Sequence, residues 1–201
     1  MSVPGPGLLA LGWCYELWPD GASVAVGRRL IDPWDAVTHR VWAATRGAPD
    51  HPAGQPWTPA DVARVAGTTG PDTTAVLGDL VAQGAVVGID PAAPRPVART
   101  LTLLPLAEGW GNSAAEPTVY RYGLGDVELA RLPRVLHDAL SLVHRWPDLA
   151  AACDGLAAMA RDAGVPMDEA RDGDALLRLV VGWLPVWCSI GLVCVQPAGE
   201  V

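Results

Sequence analysis

The residues of this 201-residue chain that could do chemistry are four histidines, four cysteines and a scatter of serines, and their spacing decides what they can do. His39, His137 and His144 fall on segments with helical periodicity, and His51 falls in a loop. His137 and His144 share nearly one helical face but lie about 10 Å apart along its axis, too far to hold one metal without a third element. Asp138 points to a different face, and no cluster of carboxylates completes a site. Ser113, Ser141 and Ser189 lack the strand–turn–helix context of an activated nucleophile. Gly109-Trp110-Gly111-Asn112 has the glycines of a phosphate loop but does not sit between a strand and a helix, so it reads as linker. Cys14, Cys153, Cys188 and Cys194 form no C-x-x-C pair, and five residues separate the last two, a spacing that matches no common zinc site. Three of them (Cys14, Cys188 and Cys194) stand in apolar settings where a thiol packs as a small hydrophobe. The chain has no Lys, which removes Schiff-base and P-loop chemistry. The expectation is a protein with no catalytic residues, no metal and no cofactor.

The lack of Lys and Phe, both encoded by AT-rich codons, points to a GC-rich bacterial source. Half the residues are hydrophobic, enough for a sizeable core, and 201 residues suffice for two small domains. Residues 1–11 contain no basic residue and too short an apolar run for a secretory signal, so a cytoplasmic location is expected. Residues 179–195 carry no charge, but Gly182, Pro185, Ser189 and Gly191 break the run, which reads as a helix followed by a buried strand rather than a membrane span.

Along the chain, residues 12–18 and 22–31 read as a hairpin joined at Pro19-Asp20-Gly21. Asp32-Pro33 opens a helix that ends at Gly47. Thr58-Pro59-Ala60-Asp61 carries the capping-box pattern of a second helix. A third starts at Asp72, with Val76, Leu77, Leu80 and Val81 inward, and stops at Gly84. Residues 85–89 and 99–104 then pair as a two-stranded wing around a proline-rich tip. After a linker at 107–118 the plan repeats: a strand at 119–122, a helix over 129–146, a helix from Asp148 to Gly164, and a third from Asp172 or Asp174 to Trp187. AQGAVVGIDP and CSIGLVCVQP echo one another. The fold expected is α+β: tandem winged helix-turn-helix-like domains over 1–106 and 119–201, the second degenerate, each with a small antiparallel sheet packed on three helices.

Winged helices most often bind DNA. A reading helix needs Arg, Lys, Asn or Gln to reach base edges. DTTAVLGDLVAQ offers two Asp and one Gln, and the matching helix of the second half carries only Arg178 before an apolar run. A wing with Arg95 and Arg99 adds two guanidiniums against a net charge of −8, which opposes a polyanion. A DNA-binding regulator is therefore the second reading and a peptide or protein partner the first. The nine Trp residues read as core packing in place of the missing Phe, or as an interface.

Two strands followed by DPWDAVTHRVWAATRG, WTPADVARVAG and TTAVLGDLVAQGAVVGID resemble the PqqD-like peptide-recognition domains of ribosomally made peptide pathways, over about 80 residues. The resemblance implies that a leader peptide adds as a strand to the hairpin edge, packs against the third helix, and is delivered to a tailoring enzyme. Carried onto this chain, the receiving edge is Ser23, Val24, Val26, Arg28 and Arg29, and the facing helix offers Thr73, Val76, Leu77 and Leu80. Arg28 and Arg29 would pair with acidic leader residues. The second half, not needed for one leader, would dock a modifying enzyme or form a homodimer.

Overall fold

A computed structural model describes residues 6–199, and for Asp32 and Pro33 the backbone alone. The first strand, β1 (Gly7–Ala10), is fully buried and lies ahead of the region where the sequence pattern suggested strands. The segment expected as one hairpin is a three-stranded antiparallel meander: β2 (Trp13–Trp18), β3 (Gly21–Val26) and β4 (Arg29–Asp35), in that spatial order. What splits residues 22–31 is the two-residue turn Gly27-Arg28, closed by Val26 opposite Arg29, with Gly27 at a φ of 58°.

Three helices follow: α1 (Ala36–Ala44), α2 (Pro59–Ala66) and α3 (Gly70–Ala82). Asp32-Pro33 does not open α1. Those residues extend β4 opposite β3, and Asp35 caps the helix instead, its carboxylate accepting from the Thr38 N–H at 2.7 Å. The Thr58–Asp61 capping box forms as the sequence indicated, with Pro59 in the first turn. Thr69 rather than Asp72 caps α3. At its far end Ala85 N–H reaches back to Leu80 O at 2.9 Å, with Gly84 at a φ of 71°. The chain then runs into β5 (Val86–Ile89), which pairs antiparallel with β1.

The expected wing does not form. β5 lies against β1, while the proline-rich tip holds a short helix, α4 (Arg95–Ala98), and leads into β6 (Leu101–Pro105), whose partner is β10 (Val193–Pro197) near the far end of the chain. β6 therefore belongs with the second half, not with 1–106. Nor is 107–118 simply a linker, since β7 (Glu108–Gly111) begins a second meander with β8 (Val119–Leu124) and β9 (Val127–Pro133). The helix expected over 129–146 starts late for the same reason: residues 127–133 pair with β8, and α5 (Arg134–Leu142) begins where the strand ends. A 3-10 turn, α6 (Leu149–Asp162), a short α7 (Asp168–Arg171) and α8 (Gly173–Ser189) follow, with Asp148 and Asp172 capping α6 and α8. α8 ends as α3 does, Leu192 N–H reaching Trp187 O at 2.9 Å around Gly191 at a φ of 72°.

One cluster of buried side chains runs through both halves, so no composition break divides two separate cores. Between them, the Gly12 N–H donates to Val195 O, the Gly27 N–H to Gln196 Oε1 and Arg46 Nε to Cys188 O. The long connection between α1 and α2 crosses α8 so closely that Gly54 N–H donates to Gly182 O at 3.0 Å. A Cβ on Gly182 would meet Gly54 backbone at 2.9 Å, and one on Gly47 would meet Pro185 O at 2.0 Å. Both glycines are there for contact. No helix among the described residues is long and apolar enough to cross a membrane. The secretory-signal reading of residues 1–11 falls partly on residues 1–5, which lie outside the described residues.

Candidate functional site

Three of the five residues carried over as a receiving edge are not at an edge. Ser23, Val24 and Val26 lie on β3, the central strand, paired on one side with β2 and on the other with β4, and all three are buried. A strand whose backbone groups are used on both sides has nothing left to offer an incoming peptide. Thr73, Leu77 and Leu80 are likewise buried in the core, and Thr73 Oγ1 donates to Thr69 O at 2.8 Å. Of the four helix residues carried over, only Val76 keeps part of its surface. Arg28 is exposed in the tight turn. Arg29 begins β4 and its Nη2 donates to Gln83 O at 2.8 Å, tying the strand to the end of α3.

The free edges of this sheet are β2 and β4. Beside β4 the structure opens a cleft of about 490 Å³ lined by Trp18, Asp20, Gly21, Trp34, Asp35, Thr38, Asp79 and Gln83. Each wall has a local cause. Trp34 is turned inward by the β3 register (Ala22 opposite Trp34), stacks at a tilt on Trp42 with centroids 5.6 Å apart, and donates its indole N–H to Gln83 Oε1 at 2.9 Å. Asp79 and Gln83 are one helical turn apart on the exposed side of α3, opposite the buried Leu77 and Leu80. Asp20 comes from the β2–β3 turn, and Asp35 from the cap of α1, where the Thr38 N–H holds its carboxyl below the ordinary range. The lining thus carries three carboxylates and no cation. Trp18, Asp79 and Gln83 were missed because the sequence pattern shows which face of α3 is buried but not which strand edge faces the other side.

The place in the second half that corresponds to this cleft is built differently. α8 is buried nearly all round, with the α1–α2 connection lying across it. Arg95, a candidate contact for a polyanion, is held by Asp154 at 2.8 and 2.9 Å and by Asp174 at 2.6 Å, which pins α4 to α6 and α8. His137 stacks on Tyr120 with centroids 3.8 Å apart and shares hydrogen bonds with the Tyr122 hydroxyl and Ser141 Oγ. Burial pushes its pKa below the usual histidine value. Among the described residues no carboxylate bonds to this group, and its contacts fasten α5 to β8. A separate apolar cavity of about 300 Å³ lies between α5, α6 and α7, walled by Leu142, Leu156, Met159, Val165 and Met167.

No group of three or more His, Cys, Asp or Glu among the described residues could hold a metal ion. Burial pushes the thiols of Cys153 and Cys188 up to about 12 and that of Cys194 to about 11, so at neutral pH they are protonated and poorly nucleophilic. The chain matches no family model, no curated protein and no solved structure.

Proposed function

We propose that the first half captures a peptide by strand addition along β4, with the peptide's side chains entering the cleft between β4 and α3, and that the chain is a non-catalytic recognition module of the PqqD-like kind that presents a precursor peptide to a tailoring enzyme. The observation that carries this reading is the unpaired edge of β4 next to an aromatic-floored, acidic cleft. Main-chain hydrogen bonds would supply affinity and the cleft selectivity. In a two-residue hairpin the closing pair exchanges both ladder bonds, so Leu30, the residue after Arg29, turns its N–H and C=O to the outer edge.

The charge of the cleft refines the ligand. Asp20, Asp35 and Asp79 face it, and Arg29 already bonds to Gln83 O, so a peptide with a basic or neutral anchor fits better than the acidic leader that Arg28 and Arg29 suggested. The same charge opposes the DNA reading, because α3 shows solvent Asp72 and Asp79 and no Arg. In this reading the two halves are copies of one unit: a lone strand, a meander, three main helices and a return strand that pairs with the first. The meander takes the place of a wing.

The test is selection from a random peptide display library on the full chain, followed by titration of a selected peptide against wild type and Leu30→Pro. Pro is tolerated on an edge strand but removes the outward donor, so binding should fall at least about tenfold with folding intact. Unchanged affinity would overturn the β4 assignment. Tight, salt-sensitive retention on duplex DNA would favour the regulator reading instead.

A further inference from the structure

We propose that the opposite free edge of the same sheet, β2, is where two copies of this chain associate, their β2 strands pairing antiparallel so that two three-stranded meanders become one sheet. Exposed aromatic and aliphatic surface is concentrated there. Trp13 is 36% exposed, Tyr15 61%, Leu17 67% and Trp18 40%, on a strand with a single charge, Glu16. An unpaired, apolar, nearly uncharged edge is the feature that folded proteins otherwise blunt with charge or cover. Nothing among the described residues covers it: β2 pairs with β3 alone.

Area and charge both select a second copy as the occupant. With large side chains of roughly 150–250 Å² each, those exposures leave about 400 Å² of apolar surface, near half of the about 800 Å² per partner that a stable interface buries, before the strand's backbone and its neighbours are counted. The ends of the sheet carry opposite charge: Asp20 is exposed in the turn beyond Trp18, and Arg28 is exposed in the turn at the Trp13 end. A two-fold axis between antiparallel β2 strands sets the β3–β4 turn with Arg28 of one copy at the same end of the joined sheet as the β2–β3 turn with Asp20 of the other, twice. The two turns lie about three strand spacings (roughly 14 Å) apart, so the attraction is long-range and not a contact. Because such an interface uses the same patch on both copies it closes on itself, and leaves no sticky edge to propagate. The edge of β4 is on the far side of the sheet and its main-chain groups stay open to peptide in the pair, while Trp18 and Asp20 stand where the peptide cleft meets the paired edge.

Sedimentation velocity on the full chain, between about 1 and 100 μM, reads this directly. The expected result is a concentration-dependent species of twice 21.0 kDa. Leu17→Lys, at an exposed position, should weaken it at least about tenfold while circular dichroism and peptide binding at β4 stay as in wild type. Asp20→Arg or Arg28→Asp alone should weaken it, and the double reversal should restore it. A monomer throughout the range overturns the proposal, as does a dimer indifferent to Leu17→Lys, a double reversal that fails to rescue, or assembly beyond the dimer. Because Leu17→Lys leaves β4 untouched, loss of self-association and loss of peptide binding are separately readable.

Discussion

α3 and α8 occupy corresponding places, each running into a glycine with a φ near 71° and then into a strand that pairs back on the first strand of its half. Yet α3 presents Asp72, Thr74, Asp79 and Gln83 to solvent, whereas α8 buries Leu176, Leu177, Val180, Val181, Leu184 and Trp187 and has Gly182 and Pro185 pressed under the α1–α2 connection. That connection is what differs. It runs from Thr45 to Thr58 in the first half, while in the second only a 3-10 turn and residues 146–148 separate α5 from α6. The spare chain in the first half covers the helix of the second, and nothing equivalent among the described residues returns to cover α3. One helix face is left exposed; the other serves as structural contact surface.

The largest effect should come from breaking that cover. Gly47→Val puts a branched side chain at a φ of 105° and against Pro185 O, so the α1–α2 connection must lift off α8. A loss of about 4 kcal/mol in urea unfolding is expected, from strain and overpacking together. A loss under about 1 kcal/mol would mean that the two halves do not depend on this contact.

Alkaline pH should discriminate the halves next. Three buried thiols, Cys153, Cys188 and Cys194, lie in the second half, and burial raises their pKa values from the ordinary 9.0 to about 12, 12 and 11. For a group raised in the folded state, the unfolded chain loses its proton first. Stability is therefore complete below pH 9 and declines as pH rises toward the folded values, by roughly 1 kcal/mol per thiol per pH unit. Cys188→Ala should flatten that slope in unfolding curves taken between pH 8 and 10.

A smaller contrast concerns the tryptophans. Trp57 donates its indole N–H to Ala44 O at 2.8 Å, whereas the buried Trp187 Nε1 has no hydrogen-bond partner among the described residues. Both changes to Phe leave a cavity, but only Trp57→Phe also removes a hydrogen bond, leaving Ala44 O with the longer one from the Gly47 N–H at 3.4 Å. Trp57→Phe should cost about 2 kcal/mol by thermal unfolding and Trp187→Phe about 1 kcal/mol less. Equal losses would show the unpaired indole to be harmless.

The smallest stability effect is expected on the open face. Asp79→Arg should change the unfolding free energy by less than about 0.5 kcal/mol while shifting selected peptides from basic toward acidic anchors. Unaltered peptide preference would exclude Asp79 from recognition.

Much of the helical layer was readable from the chain because its signals are local. Thr58, Pro59 and Asp61 specify a helix start within four residues, and Gly84 and Gly191 specify helix ends because the left-handed turn there favours glycine. The strand layer was less so. Residues 127–133 carry leucines at helical spacing but are held extended by β8, and residues 32–33 look like a helix start but extend β4. The site suffered most: burial of Thr73, Leu77 and Leu80 follows from periodicity, but the same apolar alternation in β3 reads identically for an edge and a central strand.

The sequence by itself determined the mixed α and β content, the Thr58–Asp61 capping box, the helix ends at Gly84 and Gly191, the inward face of α3 and the poverty of positive charge on its outward one, since each depends on residues within a turn or two of one another. Tertiary structure alone decided that β6 pairs with β10 rather than β5, that β4 and not β3 lies at the sheet edge, and that α8 is covered while α3 is not. Those choices are made between segments up to about 140 residues apart, where the gain from burying two surfaces together outweighs local preference and leaves no mark in either segment's own pattern.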